Sequence, residues 1–253
     1  MSAFHQYSAY YDLLYADKDY AAEADYVAGV LRAADPAVRA ILEFGSGTGR
    51  HGRLLAARGF DVLGVELSAE MAAEANRADS RGFACEIGDL RAFRAGRTFD
   101  AAISLFHVIS YQTTDDDLAA AFETAAAHLS PGGSFLFDVW HGPAVLTQQP
   151  EIRTLERADA RRRVRRTATP TNDPDRRLVT VSYQMECEDL VSGGRVKFSE
   201  DHPMRYLFPA EIEALAAGAG FDPRHTEEFL TGAPPSAETW GVAYLLRKRG
   251  PEC

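Results

Sequence analysis

The sequence predicts an α/β fold in which a mostly parallel sheet of seven strands carries helices on both faces and receives an inserted antiparallel sheet. Between residues 39 and 139, short apolar runs alternate with alanine-rich stretches of helical period, which is typical of parallel strands joined by crossover helices. From residue 140 to residue 206, polar and apolar residues alternate, which is typical of half-buried antiparallel strands. The first pattern then returns between residues 207 and 248.

The elements of the main sheet follow from these runs in chain order. The apolar runs predict strands at residues 40–44, 62–65, 83–87, 101–106, 134–139, 224–230 and 239–247. The periodic stretches predict helices at residues 51–58, 69–78, 116–129 and 209–219. Pro131, Gly132 and Gly133 are expected to end the third helix and to turn the chain into the next strand.

The inserted sheet is predicted from one strongly alternating segment, residues 178–190, and from its surroundings. One face of that segment carries Val179, Val181, Tyr183, Met185 and Cys187. The surroundings predict a turn at 192–194, a return strand at 195–208, a third strand at 151–169 and a loop at 170–175.

Five arginines occur among the six residues from Arg161 to Arg166. Charged side chains protect an exposed sheet edge from pairing with another chain, so the first hypothesis is a solvated edge strand. The alternative is that the arginines bind a diphosphate group through paired hydrogen bonds.

Composition excludes several classes of protein. With 46% hydrophobic and 25% charged residues, the chain of 253 residues is neither disordered nor fibrous. Its net charge of −10 argues against nucleic acid as a partner. Cys85, Cys187 and Cys253 are too widely spaced for a disulfide framework or a zinc site, which indicates a reducing compartment and no metal. Without a signal peptide or a long apolar run, the chain is expected to be soluble, cytoplasmic and free of the membrane.

The most informative stretch runs from Ile41 to Gly49, where an apolar strand leads into glycines at alternate positions and then into a helix. Glycines allow a sharp turn and a close approach to a ligand, and the helix N-terminus offers free N–H groups. Residues 47–52 also satisfy the GxGxxG pattern of dinucleotide-binding proteins, with Glu66 as its acidic partner. The pattern alone therefore leaves a nicotinamide dinucleotide possible.

Three acidic residues follow or precede the ends of successive predicted strands. Glu43 directly precedes the glycines, Glu66 ends the second strand, and Asp89 follows the third. A carboxylate at the position of Glu66 can accept hydrogen bonds from both ribose hydroxyls, and one at Asp89 can accept from an adenine amine. This order of acids and glycines resembles the class I S-adenosylmethionine-dependent methyltransferases over residues 40–139.

The resemblance implies a Rossmann-like cofactor domain and a set of cofactor contacts. The segment from Glu43 through Gly45, Gly47 and Gly49 would contact the amino-acid part of S-adenosylmethionine, Glu66 the ribose and Asp89 the adenine. Four further residues complete the predicted cofactor site: Leu67, Met71, Leu90 and Phe106.

Three other segments resemble bacterial nucleotide-sugar methyltransferases, especially the thymidine diphosphate (TDP)-3-amino-sugar N,N-dimethyltransferases of antibiotic biosynthesis. They are residues 9–20, residues 135–140 and residues 204–208. The resemblance implies that Tyr11 binds the cofactor carboxylate and that Tyr7 lies near the reacting centre. It also implies that the inserted sheet forms the substrate pocket and a homodimer interface.

These resemblances divide the chain into three parts. Residues 1–38 are expected to form a helical segment that closes over the cofactor. Residues 39–139 and 207–248 are expected to form the cofactor-binding domain, and residues 140–206 the inserted sheet.

The loop after the fourth strand departs from the dimethyltransferases. They carry a histidine where Tyr111 stands and a small residue where His107 stands. Methyl transfer to a hydroxyl calls for a general base, whereas a neutral amine can attack unaided. His107, Tyr111 and His141 are the predicted catalytic candidates because they lie on loops at the cofactor edge of the sheet, with His202 as a further possibility on the inserted sheet.

The predicted function is therefore methyl transfer from S-adenosylmethionine to the amine of a TDP-linked deoxyaminosugar. The alternatives are methylation of a sugar hydroxyl and methylation of another small molecule. More distant alternatives are a nicotinamide-dependent oxidoreductase and a cofactor-binding partner subunit without activity.

Overall fold

The computed structural model describes residues 6–78 and 80–250. The first five residues of the predicted N-terminal segment and Cys253 lie outside these ranges. The described residues form strands β1 (Ala40–Phe44), β2 (Asp61–Glu66), β3 (Phe83–Ile87), β4 (Phe99–Ser104), β5 (Leu129–Trp140), β6 (Arg153–Ala158), β7 (Arg162–Asp173), β8 (Leu178–Asp189), β9 (Arg195–Arg205), β10 (Phe221–Glu228) and β11 (Gly241–Lys248).

The helices are α1 (Tyr11–Leu14), α2 (Tyr20–Ala34), α3 (Arg50–Ala57), α4 (Ala69–Ala75), α5 (Asp115–His128), α6 (Gly142–Thr147) and α7 (Pro209–Gly218). Two short 3₁₀ helices cover Tyr7–Tyr10 and Val108–Tyr111. Side chains cap three helices at their N-termini: Asp19 accepts from the Ala22 N–H, Ser68 from Met71 and Thr114 from Asp117. Each cap satisfies an N–H that would otherwise lack a partner in the helix.

The main sheet has the strand order β10-β11-β5-β4-β1-β2-β3. Strands β5, β4, β1, β2 and β3 are parallel to their neighbours within this set, whereas β11 is antiparallel to both β5 and β10. The prediction of a mostly parallel seven-stranded sheet with a separate antiparallel sheet is confirmed. Because parallel strands end at one edge, the loops after β1, β2, β3, β4 and β5 meet there.

Each face of the main sheet is covered by helices. On one face, Phe122 of α5 packs edge-on against Phe135 and Phe137 of β5, and all three side chains are fully buried. On the other face, Val27 and Leu31 of α2 pack against the sheet. These buried layers make the sheet a rigid support for the loops at its edge.

The inserted sheet has the order β6-β7-β8-β9, and all of its strands are antiparallel. Val179, Val181, Met185 and Cys187 of β8 are buried, so the predicted inner face is confirmed. They pack against the N-terminal helices at one end of β8 and against residues near α6 at the other. The inserted sheet therefore holds the N-terminal segment beside the main sheet.

Two predictions for the first part of this sheet are wrong. Residues 151–169 form a hairpin, β6 and β7, with its turn at 159–161, rather than one strand. Residues 170–173 continue β7 instead of forming a loop. Pro170 lies opposite Val181 of β8 but beyond the last pair with β6, so β7 has one unpaired side there, a setting in which sheets tolerate proline.

The arginine-rich segment is also placed differently from the first hypothesis. Arg162–Arg166 lie in β7, which pairs with β6 on one side and β8 on the other, so the segment is not an edge strand. The sequence prediction missed the hairpin turn because the residues that form it, Asp159, Ala160 and Arg161, contain no glycine or proline.

Smaller differences concern the ends of elements. Pro131, Gly132 and Gly133 lie within β5, in an irregularity of its pairing with β4, rather than between a helix and a strand. Within the described ranges, no helix has both the length and the apolar composition needed to cross a membrane.

Candidate active site

A cavity of about 670 Å³ opens at the carboxyl edge of the parallel strands. The loops after β1, β2, β3 and β4 form one wall, through Gly45, Glu66, Asp89 and Phe106. The N-terminal tyrosines and the inserted sheet form the opposite wall, through residues such as Tyr7. Three separate parts of the chain thus enclose one space of a size suited to a small molecule.

The glycine loop after β1 bends sharply beneath the cavity. Gly45, Gly47 and Gly49 all have positive φ angles, between 57° and 75°. A Cβ at Gly45 would lie 2.5 Å from a methyl of Val108, and one at Gly49 would lie 2.7 Å from Phe83. Gly45 and Gly47 line the cavity, whereas Gly49 packs behind the loop.

Glu66 joins the glycine loop to the end of β2. Its carboxylate accepts the Gly47 N–H at 2.9 Å and the Ser68 N–H at 2.8 Å. Burial raises the pKa of Glu66, although these backbone N–H groups oppose the shift. Glu66 is one of the residues that line the cavity.

The other two predicted acids lie in different surroundings. Glu43 is only 2% exposed and accepts a hydrogen bond from Ser46 Oγ at 2.7 Å, so its carboxylate supports the loop from below and does not line the cavity. Burial raises the pKa of Glu43. Asp89 does line the cavity, and a hydrogen-bonded ion pair with Arg91, at 2.6 Å, lowers the pKa of its carboxyl.

The four remaining predicted cofactor residues also line the cavity. They are Leu67, Met71, Leu90 and Phe106. Leu67 is exposed and Met71 is buried, so apolar contact is available both at the mouth of the cavity and inside it.

His107 lines the cavity and contacts a buried carboxylate. Its Nδ1 lies 2.7 Å from Oδ2 of Asp138, and its backbone N–H donates to the same carboxylate at 3.2 and 3.3 Å. Asp138 lies within β5, near its end, and is 1% exposed. Burial alone would raise the pKa of Asp138, but His107 and Lys18 outweigh it and lower that pKa.

Tyr111, after β4, and His202, on β9, are in contact through their side chains. The hydroxyl of Tyr111 lies 3.1 Å from Nδ1 of His202, which is fully buried on β9. Burial, aided by the charge of Arg166, lowers the pKa of His202 to about 4 against the opposing effect of Glu200. The His202 imidazole is therefore neutral at physiological pH.

Tyr7 and Tyr11 both line the cavity from the N-terminal segment. The guanidinium of Arg166 donates to the hydroxyls of Tyr7, at 2.7 Å, and Tyr15, at 3.0 Å. The Tyr7 ring stacks on Tyr183 of β8 with centroids 5.1 Å apart. These contacts attach the N-terminal segment to the inserted sheet.

His141 lies at the end of β5 and does not line the cavity. Its backbone N–H donates to the Trp240 carbonyl at 2.9 Å, and burial lowers the pKa of its imidazole. Its Nδ1 is buried and has no hydrogen-bond partner among the described residues. The structure thus brings Tyr7, His107 and Tyr111 to the cavity and leaves His141 outside it.

Comparison with known proteins decides the family. A methyltransferase domain model matches residues 41–133, which include the glycine loop, Glu66 and Asp89. The chain is 32% identical over 226 residues, 88% of its own length and 92% of the relative's, to the dTDP-3-amino-3,4,6-trideoxy-alpha-D-glucopyranose N,N-dimethyltransferase of Streptomyces venezuelae. The chain belongs to the S-adenosylmethionine-dependent methyltransferases.

Solved structures of the family have the same fold over nearly the whole chain. The sugar N-methyltransferase KedS8 from Streptoalloteichus sp ATCC 53650 superposes with a TM-score of 0.83 at 27% identity, covering 99% of this chain and 95% of that one. CalS10, an amino pentose methyltransferase from Micromonospora echinaspora, is bound to S-adenosylmethionine. It has a TM-score of 0.74 at 27% identity, with 98% of each chain covered.

The cofactor of this methyltransferase is S-adenosylmethionine, and the residues of the cavity fit it chemically. The carboxylate of Glu66 can accept from hydroxyl groups, and Asp89 can accept from an amine. Leu67, Met71 and Leu90 offer apolar surface to a flat heterocycle. Next to Gly47 a Cβ would meet nothing within 4 Å, so the loop leaves open space beside its backbone.

Sequence reasoning missed the contacts made by three residues at or behind the cavity wall: Asp138, Arg166 and Tyr15. Asp138 lies near the end of an apolar strand, at the edge where the cofactor residues meet, a position that signals a functional acid. Arg166 lies between Val164 and Ala168 in the alternating pattern of β7, which places it on the buried face. No comparable signal in the sequence pairs Arg166 with Tyr15.

Proposed function

We propose that this methyltransferase transfers a methyl group to the amine of a TDP-linked deoxyaminosugar. The observation that carries the proposal is the match to the Streptomyces venezuelae dimethyltransferase, whose name specifies a dTDP-3-amino sugar and which is covered over 92% of its length. KedS8, a sugar N-methyltransferase, has the same fold over the inserted sheet as well as the main sheet. CalS10 is involved in calicheamicin biosynthesis, which favours a biosynthetic role in secondary metabolism.

The cofactor residues keep their predicted roles in this proposal. When bound, S-adenosylmethionine supplies a methyl group on a sulfonium, which is already activated for transfer. Glu66 accepts from the ribose, Asp89 from the adenine amine, and the loop of Gly45 and Gly47 lies against the amino-acid part. Tyr11 donates to the cofactor carboxylate. Glu43 acts indirectly, because its bond to Ser46 holds the loop in shape.

The three parts of the chain keep the roles that the sequence analysis gave them. Residues 39–139 and 207–248 bind the cofactor, and residues 140–206 hold the sugar. Residues 1–38 close the cavity, which the contacts of Arg166 with Tyr7 and Tyr15 support. A closed cavity excludes water and holds the acceptor nitrogen in line with the methyl carbon.

Among the candidate catalytic residues, His107 and Tyr111 face the acceptor in this proposal. Tyr7 shapes the wall beside them through its stacking on Tyr183. His141 lies outside the cavity, and we assign it to the support of β5 and α6. Burial holds the neighbouring His202 neutral, so it orients the Tyr111 hydroxyl without adding charge.

Methylation of a sugar hydroxyl is the second candidate, and the contact between His107 and Asp138 favours it. A hydroxyl is a weak acid, so its methylation needs a base, and a histidine beside a carboxylate is a suitable one.

The homodimer and the cytoplasmic location also belong to the proposal. Val191 and Val196 lie exposed near the turn between β8 and β9, where a second copy of the chain could bury them. The thiols of Cys85 and Cys187 are free, as expected in a reducing compartment.

Mass spectrometry of the purified enzyme with S-adenosylmethionine and a panel of TDP-sugars tests the function. The panel contains 3-amino, 4-amino and all-hydroxyl deoxysugars. We expect mass gain on the amino sugars only, and the number of methyl groups separates mono- from dimethylation. Gain on the all-hydroxyl sugar instead would establish O-methylation.

Cofactor binding, measured by calorimetry, is the control for that panel. If the enzyme binds S-adenosylmethionine but no sugar gains mass, the proposed sugar acceptor is refuted, whereas the assignment to the methyltransferases still holds. A matched Glu66→Gln variant should lose cofactor affinity, which ties any activity to this cavity.

A further inference from the structure

We propose that His107 and Asp138 form a proton-accepting pair in which Asp138 positions His107 to take the acceptor's proton. The proposal rests on the proposed function, because it concerns the acceptor in that same cavity. It adds Asp138 as a positioning residue and His107 Nε2 as the atom that receives the proton.

The geometry of the pair determines which ring nitrogen is available. Nδ1 of His107 lies 2.7 Å from Oδ2 of Asp138, an ion-pair distance, but the two atoms lack the alignment of a hydrogen bond. An unprotonated Nδ1 would direct its lone pair at the carboxylate oxygen, so we expect the ring proton on Nδ1. Nε2 is then the unprotonated nitrogen, on the side of the ring away from Asp138. His107 lines the cavity, and 23% of its side chain is exposed there.

The backbone around His107 is held in a costly conformation. Phe106 and His107 have φ angles of 63° and 61°, in the left-handed region that non-glycine residues rarely occupy. The N–H of His107 donates to both oxygens of Asp138, so one carboxylate holds both the backbone and the ring of the same residue. Strain that is maintained at a cavity wall is a recurring property of functional residues.

Asp138 is also an unusual residue to bury. It is 1% exposed, yet its pKa lies below the usual range because His107 and Lys18 outweigh the effect of burial. A buried carboxylate is costly unless charged partners or hydrogen bonds stabilise it. Its charge is well placed to stabilise the imidazolium that forms when His107 gains a proton.

A neutral amine attacks without a base, but its methylation leaves a proton on the product nitrogen that a nearby group can remove. The acceptor nitrogen forms a bond to the methyl carbon while the carbon–sulfur bond of the donor breaks, and the sulfonium becomes a neutral thioether. The methylated nitrogen then carries one proton too many, and Nε2 of His107 accepts it and releases it to solvent, which restores the neutral imidazole. Removal of this proton also restores the nitrogen lone pair that a second methylation requires.

Nuclear magnetic resonance of the ¹⁵N-histidine-labelled enzyme tests the pair without any turnover. At pH 8 we expect His107 to carry its proton on Nδ1, with its signals assigned by their loss in His107→Gln. His225 is the internal control, because it faces Glu227 through Nε2 at 2.6 Å and should show the opposite tautomer. An Nε2-protonated His107 would overturn the proposal.

Kinetics on a sugar that the wild type methylates provide the second test. His107→Gln should lower kcat/KM by about 10²-fold, the smaller end of general-base effects. Asp138→Asn should lower kcat by about 10-fold and leave the KM for the sugar unchanged, because the amide no longer holds the His107 ring in place.

The double variant distinguishes positioning from a purely structural role. His107→Gln/Asp138→Asn should be no slower than His107→Gln alone, since residues that act as a unit are not additive. Multiplied effects, with a raised KM for the sugar in Asp138→Asn, would mean that Asp138 only shapes the loop. His225→Gln, in a histidine–carboxylate pair outside the cavity, is the matched control and should keep wild-type rates.

The experiments distinguish an error in the His107–Asp138 proposal from an error in the proposed function. If the wild type methylates no sugar, the function is wrong, whereas the tautomer of His107 still reports on the pair. If Asp138→Asn does not fold, as judged by cofactor binding and thermal unfolding, the tautomer in the wild type decides.

Discussion

The two walls of the cavity are built from different kinds of contact. On the wall formed by the main sheet, backbone groups hold the site together: the N–H groups of Gly47 and Ser68 converge on Glu66, and Gly45 donates to the Val65 carbonyl. On the opposite wall, contacts between side chains hold the site together: the guanidinium of Arg166 donates hydrogen bonds to the hydroxyls of Tyr7 and Tyr15.

The two kinds of contact suit two different tasks, binding a cofactor common to the family and binding an acceptor specific to one member. A wall made from backbone conformation depends on a few glycines and tolerates many changes of side chain around them. A wall made from side-chain contacts changes shape whenever one partner is replaced. The first arrangement suits a cofactor shared by a whole family, and the second suits an acceptor that differs between members.

The largest effect on stability is expected from a substitution at Gly45, in the wall formed by the main sheet. Gly45→Ala combines a left-handed φ of +67° with a Cβ placed 2.5 Å from Val108. We expect the free energy of unfolding to fall by about 4 kcal/mol, from strain plus overpacking. Urea denaturation measures the loss, and calorimetry should show weakened binding of S-adenosylmethionine.

Gly47→Ala is the matched control for that variant. It has a similar φ of +57°, but its Cβ would meet nothing within 4 Å, so it should cost only about 1 kcal/mol. Adding Val108→Ala to Gly45→Ala should recover the overpacking part. Equal losses at Gly45 and Gly47 would contradict the role of Val108.

A smaller effect on stability is expected from a change of pH, which acts on His202 in the wall formed by the inserted sheet and the N-terminal tyrosines. The pKa of His202 is about 4 in the folded protein and about 6.5 when unfolded, so the unfolded chain binds more protons between these values. Stability is therefore full above pH 6.5 and falls as pH drops towards 4, by about 3 kcal/mol in all. Urea denaturation at pH 7 and pH 5 measures it.

His202→Gln removes the titrating group and should flatten this dependence between pH 7 and pH 5. The exposed His225 offers a control, since His225→Gln should leave the wild-type dependence in place. If His202→Gln loses as much stability as the wild type over that range, another group is responsible.

The smallest effect is expected from Arg166→Met, which disconnects the N-terminal segment from β7. Loss of hydrogen bonds from a charged donor should lower the free energy of unfolding by about 1.5 kcal/mol. The KM for S-adenosylmethionine should rise, because the closed form of the cavity is less populated. Denaturation and steady-state kinetics measure the two effects.

Arg165→Met is the neighbouring control, because Arg165 points outwards from the same strand and is exposed. A surface change of this kind is expected to alter stability by no more than about 0.5 kcal/mol. Equal effects of the two variants would show that Arg166 does not hold the N-terminal segment.

How far the sequence could predict the structure depends on how local each feature is. Strands β1 and β3 were predicted at their observed bounds, because an apolar run bounded by turn residues is a local signal. The hairpin of β6 and β7 was missed, because its turn has an ordinary composition. The contacts of the opposite wall join residues that are 91 positions apart, for Tyr111 and His202, and 159 positions apart, for Arg166 and Tyr7.

The sequence by itself determined the fold class, the glycine loop and the acids Glu66 and Asp89, because strand period, glycine spacing and strand ends are read along the chain. Only the tertiary structure decided that Glu43 lies beneath the loop, that His107 meets Asp138 and that Arg166 reaches the N-terminal tyrosines. Such contacts depend on how the two sheets and the N-terminal helices are placed in space, and packing rather than local pattern sets that placement.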